Sequence, residues 1–237
     1  MYDDLKKSCW EQNLRLAKTG LVIQTFGNVS CADRARGVMA IKPSGVAYDT
    51  MQPEDIVCVR LDDGAVVEGR LRPSCDTPTH LVLYRAFPSI GGIVHTHSVY
   101  ATSWAQAAKP VPLYGTTHAD HLAADIPCTD FMPTERVNGD YEVETGHQIV
   151  DCFRRQGLDA AEIPMVLVAG HGPFAWGKTA VEAVDHAEVL EMLCRMALLT
   201  QEINPAAPRL RDDLIRRHYE RKHGANRTYG QQEKGKE

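Results

Sequence analysis

Apolar positions recur along the chain at two spacings, and the alternation between them predicts helices interleaved with short strands. Residues 3–18 carry Leu5, Cys9 and Leu16 on one helical face, and Gly20 stops the helix. An apolar run at 21–26 reads as a strand entering a polar turn, Gly27-Asn28-Val29-Ser30. Short strands follow at 38–41, 56–59 and 66–67, the last two joined by a turn at Asp62-Asp63-Gly64. A helix opens within 73–78 and ends before Pro88; a strand at 91–95 and a helix over 98–108 come next. Residues 142–155 form a further helix with Gly157 at its stop, and 165–169 a strand. Thr179 caps a long helix whose face carries Val181, Val184, Ala187, Leu190, Leu193 and Ala197. A basic helix over 210–223 ends at Gly224. Several strands are joined by turns too short for a crossover, so they must be antiparallel neighbours. The expected architecture is α/β, with a mixed, mostly antiparallel sheet covered by helices on both faces. No linker divides the chain, so residues 1–230 are expected to form one domain, with 231–237 a solvated tail.

Composition narrows the function. The 237 residues have a formal charge of −5, which offers no electrostatic footprint for nucleic acid or an anionic membrane surface. No apolar run reaches the length of a membrane span, and the start, Met1-Tyr2-Asp3-Asp4, does not read as a signal peptide. Seven cysteines, an odd number without a Cys-x-x-Cys, fit reduced thiols in the cytoplasm.

The chemistry concentrates in Gly91-Gly92-Ile93-Val94-His95-Thr96-His97-Ser98. On an extended chain His95 and His97 point to the same side and can converge on one ion; on a helix they would diverge. Many His-x-His pairs bind nothing, and the hydrolase pattern His-x-His-x-Asp-His fails here at Val99 and Tyr100. His171, at the end of a second apolar strand, supplies a third imidazole, a sound set for a zinc-type ion. Asp76 starts a helix and reads equally as its N-cap or as a ligand. Cys75 beside it reads as a loop contact. Gly27-Asn28, Lys42-Pro43-Ser44-Gly45 and Ser74-Cys75 are turns of the kind that bind phosphate. Asp120 lies in a polar loop, where a general acid/base is the functional alternative, and Tyr229 reads as a surface aromatic.

These stretches, together with Asp76-Thr77-Pro78-Thr79-His80, Gly115 to Asp120, His171-Gly172-Pro173-Phe174-Ala175-Trp176-Gly177 and His218-Tyr219 to Gly230, resemble the class II aldolase/adducin family over almost all of residues 1–230. The resemblance implies a three-layer α/β/α domain assembled as a cyclic homotetramer. It implies zinc held by His95, His97 and His171 with Asp76 as fourth ligand. It implies a sugar-phosphate substrate whose phosphate sits among Asn28, Lys42, Ser44, Gly45, Ser74 and the backbone at Cys75. Asp120 would be one acid/base, and Tyr229, from a neighbouring subunit, the other. The branch it suggests inverts C4 of L-ribulose 5-phosphate by retro-aldol cleavage and re-addition. Aspartate at position 76 suits that branch, because the family's sugar-phosphate aldolases carry glutamate there. An aldolase, a non-catalytic adducin-like interaction domain and an unrelated zinc hydrolase are the alternatives. Two departures stand out: Cys75 replaces the usual serine, and Ala169 replaces a polar residue.

Overall fold

The computed structural model describes residues 1–224; Tyr229 and the expected tail at 231–237 lie outside the described residues. Seven strands form one sheet: β1 (Asn28–Asp33), β2 (Val38–Ile41), β3 (Val57–Arg60), β4 (Val66–Glu68), β5 (Gly92–His95), β6 (Met165–Val168) and β7 (Gly172–Gly177). Their order is β4-β3-β2-β1-β5-β7-β6, and every neighbouring pair is antiparallel. The parallel component of the expected mixed sheet reduces to an isolated bridge between Cys128 and Leu167.

Among the described residues eight α-helices accompany the sheet: α1 (Asp3–Lys18), α2 (Thr77–Ala86), α3 (Val99–Gln106), α4 (Thr116–Ala119), α5 (Thr134–Val137), α6 (Tyr141–Gln156), α7 (Ala180–Ile203) and α8 (Asp212–His223). Helices α1, α3 and α7 pack together on one face, and α2 packs on α6 on the other, which gives the three layers. The predicted face of α1 is buried, and so is Asn13. Its side chain accepts from Val29 N at 2.9 Å and donates to Val29 O at 3.0 Å, which fixes the start of β1 against α1. Thr179 caps α7 as expected, accepting from Glu182 N at 3.2 Å, but Val181 is exposed. Trp176 is fully buried between Phe87 and Phe153, with ring centroids at 5.5 and 5.3 Å. Burying aromatic side chains of this size contributes about 2–3 kcal/mol each.

Two expectations fail at the centre of the sheet. Residues 21–26 form no strand: Gln24 has φ +55°, and Ile23 and Phe26 are exposed. The polar stretch beginning at Asn28, read as a turn, is instead the central strand β1. Asn28 and Ser30 turn their polar groups to α2, so the strand lacks the apolar signature of a core strand. The two glycines before Ile93 do admit a close backbone. A Cβ at Gly91 would lie 2.2 Å from Lys178 O, and one at Gly92 would lie 2.3 Å from Ala180 Cα.

Candidate metal centre and active site

Strand β5 ends at His95, and the turn between β6 and β7 carries His171, so pairing β5 with β7 brings both to the same edge. His97 follows two residues after His95. The three ring centroids form a near-equilateral triangle with sides of 5.0, 4.8 and 5.1 Å, and their ligand nitrogens all lie within 4.8 Å of one another. Gly172 permits this closeness, since a Cβ there would lie 2.9 Å from Thr96 O. His95 is oriented from two sides. Its Nδ1 donates to Pro173 O at 2.9 Å, and its ring stacks on Phe174 at 4.2 Å. That tautomer leaves Nε2 with a lone pair, and it faces His97 Nε2 at 3.1 Å. Ligands on a tetrahedral ion with bonds near 2.0–2.1 Å stand about 3.3–3.4 Å apart, so the donor set fits a divalent cation of the zinc type. Burial and the neighbouring His95 push His171 down to about 4, so its ring is neutral and able to ligate at neutral pH. His95 is buried and His97 exposed, which leaves one side of the cluster open.

Asp76 occupies the N-cap position of α2, yet its side chain makes no capping bond. The carboxylate turns instead to the site, accepting from Asn28 Nδ2 at 2.6 Å and Ser74 Oγ at 3.4 Å. Burial raises its pKa, but His95, His80 and the Asn28 bond outweigh burial and hold it below the ordinary value. It lies beside the histidines without joining the cluster of converging ligand atoms.

The three expected phosphate turns adjoin one another. Asn28 Nδ2 also donates to Ser74 Oγ at 3.1 Å. Residues 42–45 run antiparallel to 72–75, with Ser74 N donating to Lys42 O at 3.0 Å and Ser44 N to Arg72 O at 2.9 Å. Gly45 turns the loop with φ +70°. Lys42 is 2% exposed, its Nζ 4.7 Å from the Tyr48 ring centroid and donating to Thr25 O at 3.2 Å; burial lowers its pKa to about 8. Cys75 is exposed, and partial burial of its thiol with the Asp76 charge raises its pKa, so it is a thiol at neutral pH. Near the other departure, Ala169 N donates to Thr129 Oγ1 at 3.0 Å, and Gln148 Nε2 donates to the same hydroxyl at 3.1 Å, bracing the turn before His171.

Asp120 stands elsewhere. It follows α4 and is gripped by α8: His218 Nδ1 lies at 3.0 Å, and Arg221 donates from Nε at 3.0 Å and Nη2 at 2.8 Å. Burial raises its pKa, but these partners outweigh it and keep the group ionised. Next to it, His121 lines a cavity with Lys178, His186 and Tyr219. Lys178 follows the end of β7 opposite to Gly172, so this region lies away from the histidine cluster of its own chain.

A family model described as the Class II Aldolase and Adducin N-terminal domain matches residues 8–198. The chain belongs to this family. Among curated class II aldolase relatives, an L-ribulose-5-phosphate 4-epimerase UlaF of Salmonella paratyphi B is 51% identical over 227 residues, covering 96% of this chain and 98% of that protein. The protein of the same name from Salmonella typhi is 50% identical over the same shares. Among solved structures, an L-fuculose 1-phosphate aldolase matches with a TM-score of 0.76 at 26% identity, over 92% of this chain and 95% of that one. YgbL of Klebsiella pneumoniae, at 22% identity and a TM-score of 0.70, covers 90% of this chain and 97% of its own and shares the fold.

The family motifs also hold residues that sequence reasoning gave no role. His80, Ser30 and Tyr84 form a buried polar group behind Asp76, and Phe174 is the stacking platform for His95. For His80 a signal existed: it lies four residues after Asp76, on the same helical face.

Proposed function

We propose that the chain is a metal-dependent L-ribulose-5-phosphate 4-epimerase of the cytoplasm. It converts L-ribulose 5-phosphate to D-xylulose 5-phosphate and acts on arabinose- or ascorbate-type pentose routes. One observation carries the reading: three imidazoles converge on a point beside Asp76 and next to the paired loops around Ser44 and Ser74. The identity of about half the residues to named epimerases over nearly their full length supports the substrate, as does aspartate rather than glutamate at position 76.

In this reading His95, His97 and His171, with Asp76 as fourth ligand, hold zinc. The ion, when bound, supplies Lewis acidity to the sugar's ketone and adjoining hydroxyl. Asn28, Lys42, Ser44, Gly45, Ser74 and the backbone at Cys75 grip the phosphate. That grip keeps the two-carbon aldehyde phosphate in place when the C3–C4 bond opens, and allows it to present its other face before the bond recloses. Asp120 and Tyr229 exchange the C4 hydroxyl proton from opposite faces. The separation of Asp120 from the histidines of its own chain supports a site completed by a second copy, and hence a homo-oligomer, a cyclic tetramer by resemblance. Among the described residues no helix is long and apolar enough to cross a membrane.

The direct test is a coupled assay for D-xylulose 5-phosphate formed from L-ribulose 5-phosphate, with and without a chelator. Turnover that the chelator abolishes and zinc restores is expected. Turnover indifferent to full metal removal, or release of free aldehyde as the main product, would overturn the reading.

A further inference from the structure

Helix α2 and strand β1 face each other as two rows of polar side chains. Asp76, His80 and Tyr84 follow at intervals of four, so they stack one turn apart on α2. Asn28 and Ser30 are two apart on β1 and point to the same side. The rows join rung by rung: Asn28 to Asp76 at 2.6 Å, Ser30 Oγ to His80 Nδ1 at 2.7 Å, and Ser30 Oγ to the Tyr84 hydroxyl at 2.8 Å. All of His80 is buried, its ring edge-on to Phe174 at 6.1 Å, and Phe174 is the ring on which His95 stacks.

The proton order in this array follows from counting donors. The buried Tyr84 hydroxyl has Ser30 Oγ as its hydrogen-bond partner and no other acceptor among the described residues. It therefore donates to Ser30. Ser30 then has one proton left and one neighbour to receive it, His80 Nδ1. A neutral imidazole that accepts at Nδ1 carries its proton on Nε2. That Nε2 is buried and has no hydrogen-bond partner. An orphaned buried donor costs about 1–3 kcal/mol unless something satisfies it. Side chains on a helix lean toward its N-terminus, so His80 leans toward the residue one turn earlier, Asp76.

We infer that His80 is a positioning residue: its buried, unpartnered Nε2–H, one turn from Asp76, is the donor that joins Asn28 in fixing the Asp76 carboxylate from a second side once the metal site beside it is filled. The Tyr84–Ser30 pair sets the tautomer that makes this possible. The inference rests on the proposed metal site, and it gives α2 a function beyond packing: it carries a proton-ordered brace for the carboxylate. Removing such braces behind metal ligands weakens metal affinity about 10- to 100-fold.

Two measurements test it. In metal-free protein labelled with 15N-histidine, the His80 ring nitrogens should report the Nε2–H tautomer, and Ser30→Ala should abolish that preference. Zinc affinity, measured by competition with a chromogenic chelator, should fall about 10- to 100-fold in His80→Asn, whose amide reaches only the Nδ1 position. His80→Gln, which can place an N–H where Nε2–H stood, should recover most of the loss. An Nδ1–H tautomer in the wild type, or wild-type zinc affinity in folded His80→Asn, overturns the inference. His97→Ala separates the two readings: if it keeps full zinc affinity, the metal site itself is wrong, and the tautomer measurement still judges His80. Should His80→Asn fail to fold, the tautomer measurement on the wild type decides alone.

Discussion

The histidine cluster and the Asp120 region are built in opposite ways. The cluster is supplied by strand ends within one sheet, held by backbone pairing, by Pro173 O and by the Phe174 ring, and it stands open at His97. Asp120 is held by a helix far along the chain, through hydrogen bonds from His218 and Arg221, the latter also an ion pair. Within one chain the two regions stand apart, the Asp120 side near Lys178 and the cluster at the opposite end of β7. On the proposed function the difference means that binding and proton transfer are divided between copies of the chain, a protomer taking up metal and sugar phosphate but needing its neighbour to turn over.

The largest expected effect attacks the cluster. His97→Ala should lose bound metal and about a thousandfold or more in turnover, since a Lewis acid contributes several kcal/mol. Metal content by mass spectrometry and kcat check both, and metal loss without loss of turnover would separate the two regions in the wrong sense. A smaller effect comes from Lys42. Burial lowers its pKa to about 8, so as pH rises through that value the free enzyme loses the cation proposed to meet the phosphate. kcat/KM should therefore fall above about pH 8, through KM more than kcat, and Lys42→Met should flatten that limb. The smallest effect is at the phosphate loop. Cys75→Ser adds a hydroxyl donor and should lower KM a few-fold, about the worth of one hydrogen bond, without altering metal content.

The histidine cluster was legible because its logic is local. Two histidines on an extended segment share a face, and a third at another apolar strand's end completes the set. The glycines before Ile93 announced the close backbone that α7 provides. What escaped was whatever the site itself disguises. Strand β1 lacks an apolar period because Asn28 and Ser30 serve the polar array, whereas the apolar run at 21–26 stays irregular, with Phe26 exposed 6.4 Å from the His97 ring. Strand β7 begins with glycine and proline, which mask it, and α4 is too short to show a period. Asp76 read as a cap or a ligand with equal ease; only its missing capping bond shows that the side chain turns to the site. The distance of Asp120 from the cluster is a property of the tertiary structure, and no spacing in the chain encodes it.

The division of labour is tested most directly by mixing two inactive chains, His97→Ala and Asp120→Asn, unfolding and reassembling them together, and measuring epimerase turnover. If a site takes its metal from one chain and Asp120 from the next, an equal mixture should recover about a quarter of wild-type activity, because half the clusters and half the donated carboxylates are intact. If both groups serve the site of their own chain, every protomer carries a lesion and the mixture stays inactive.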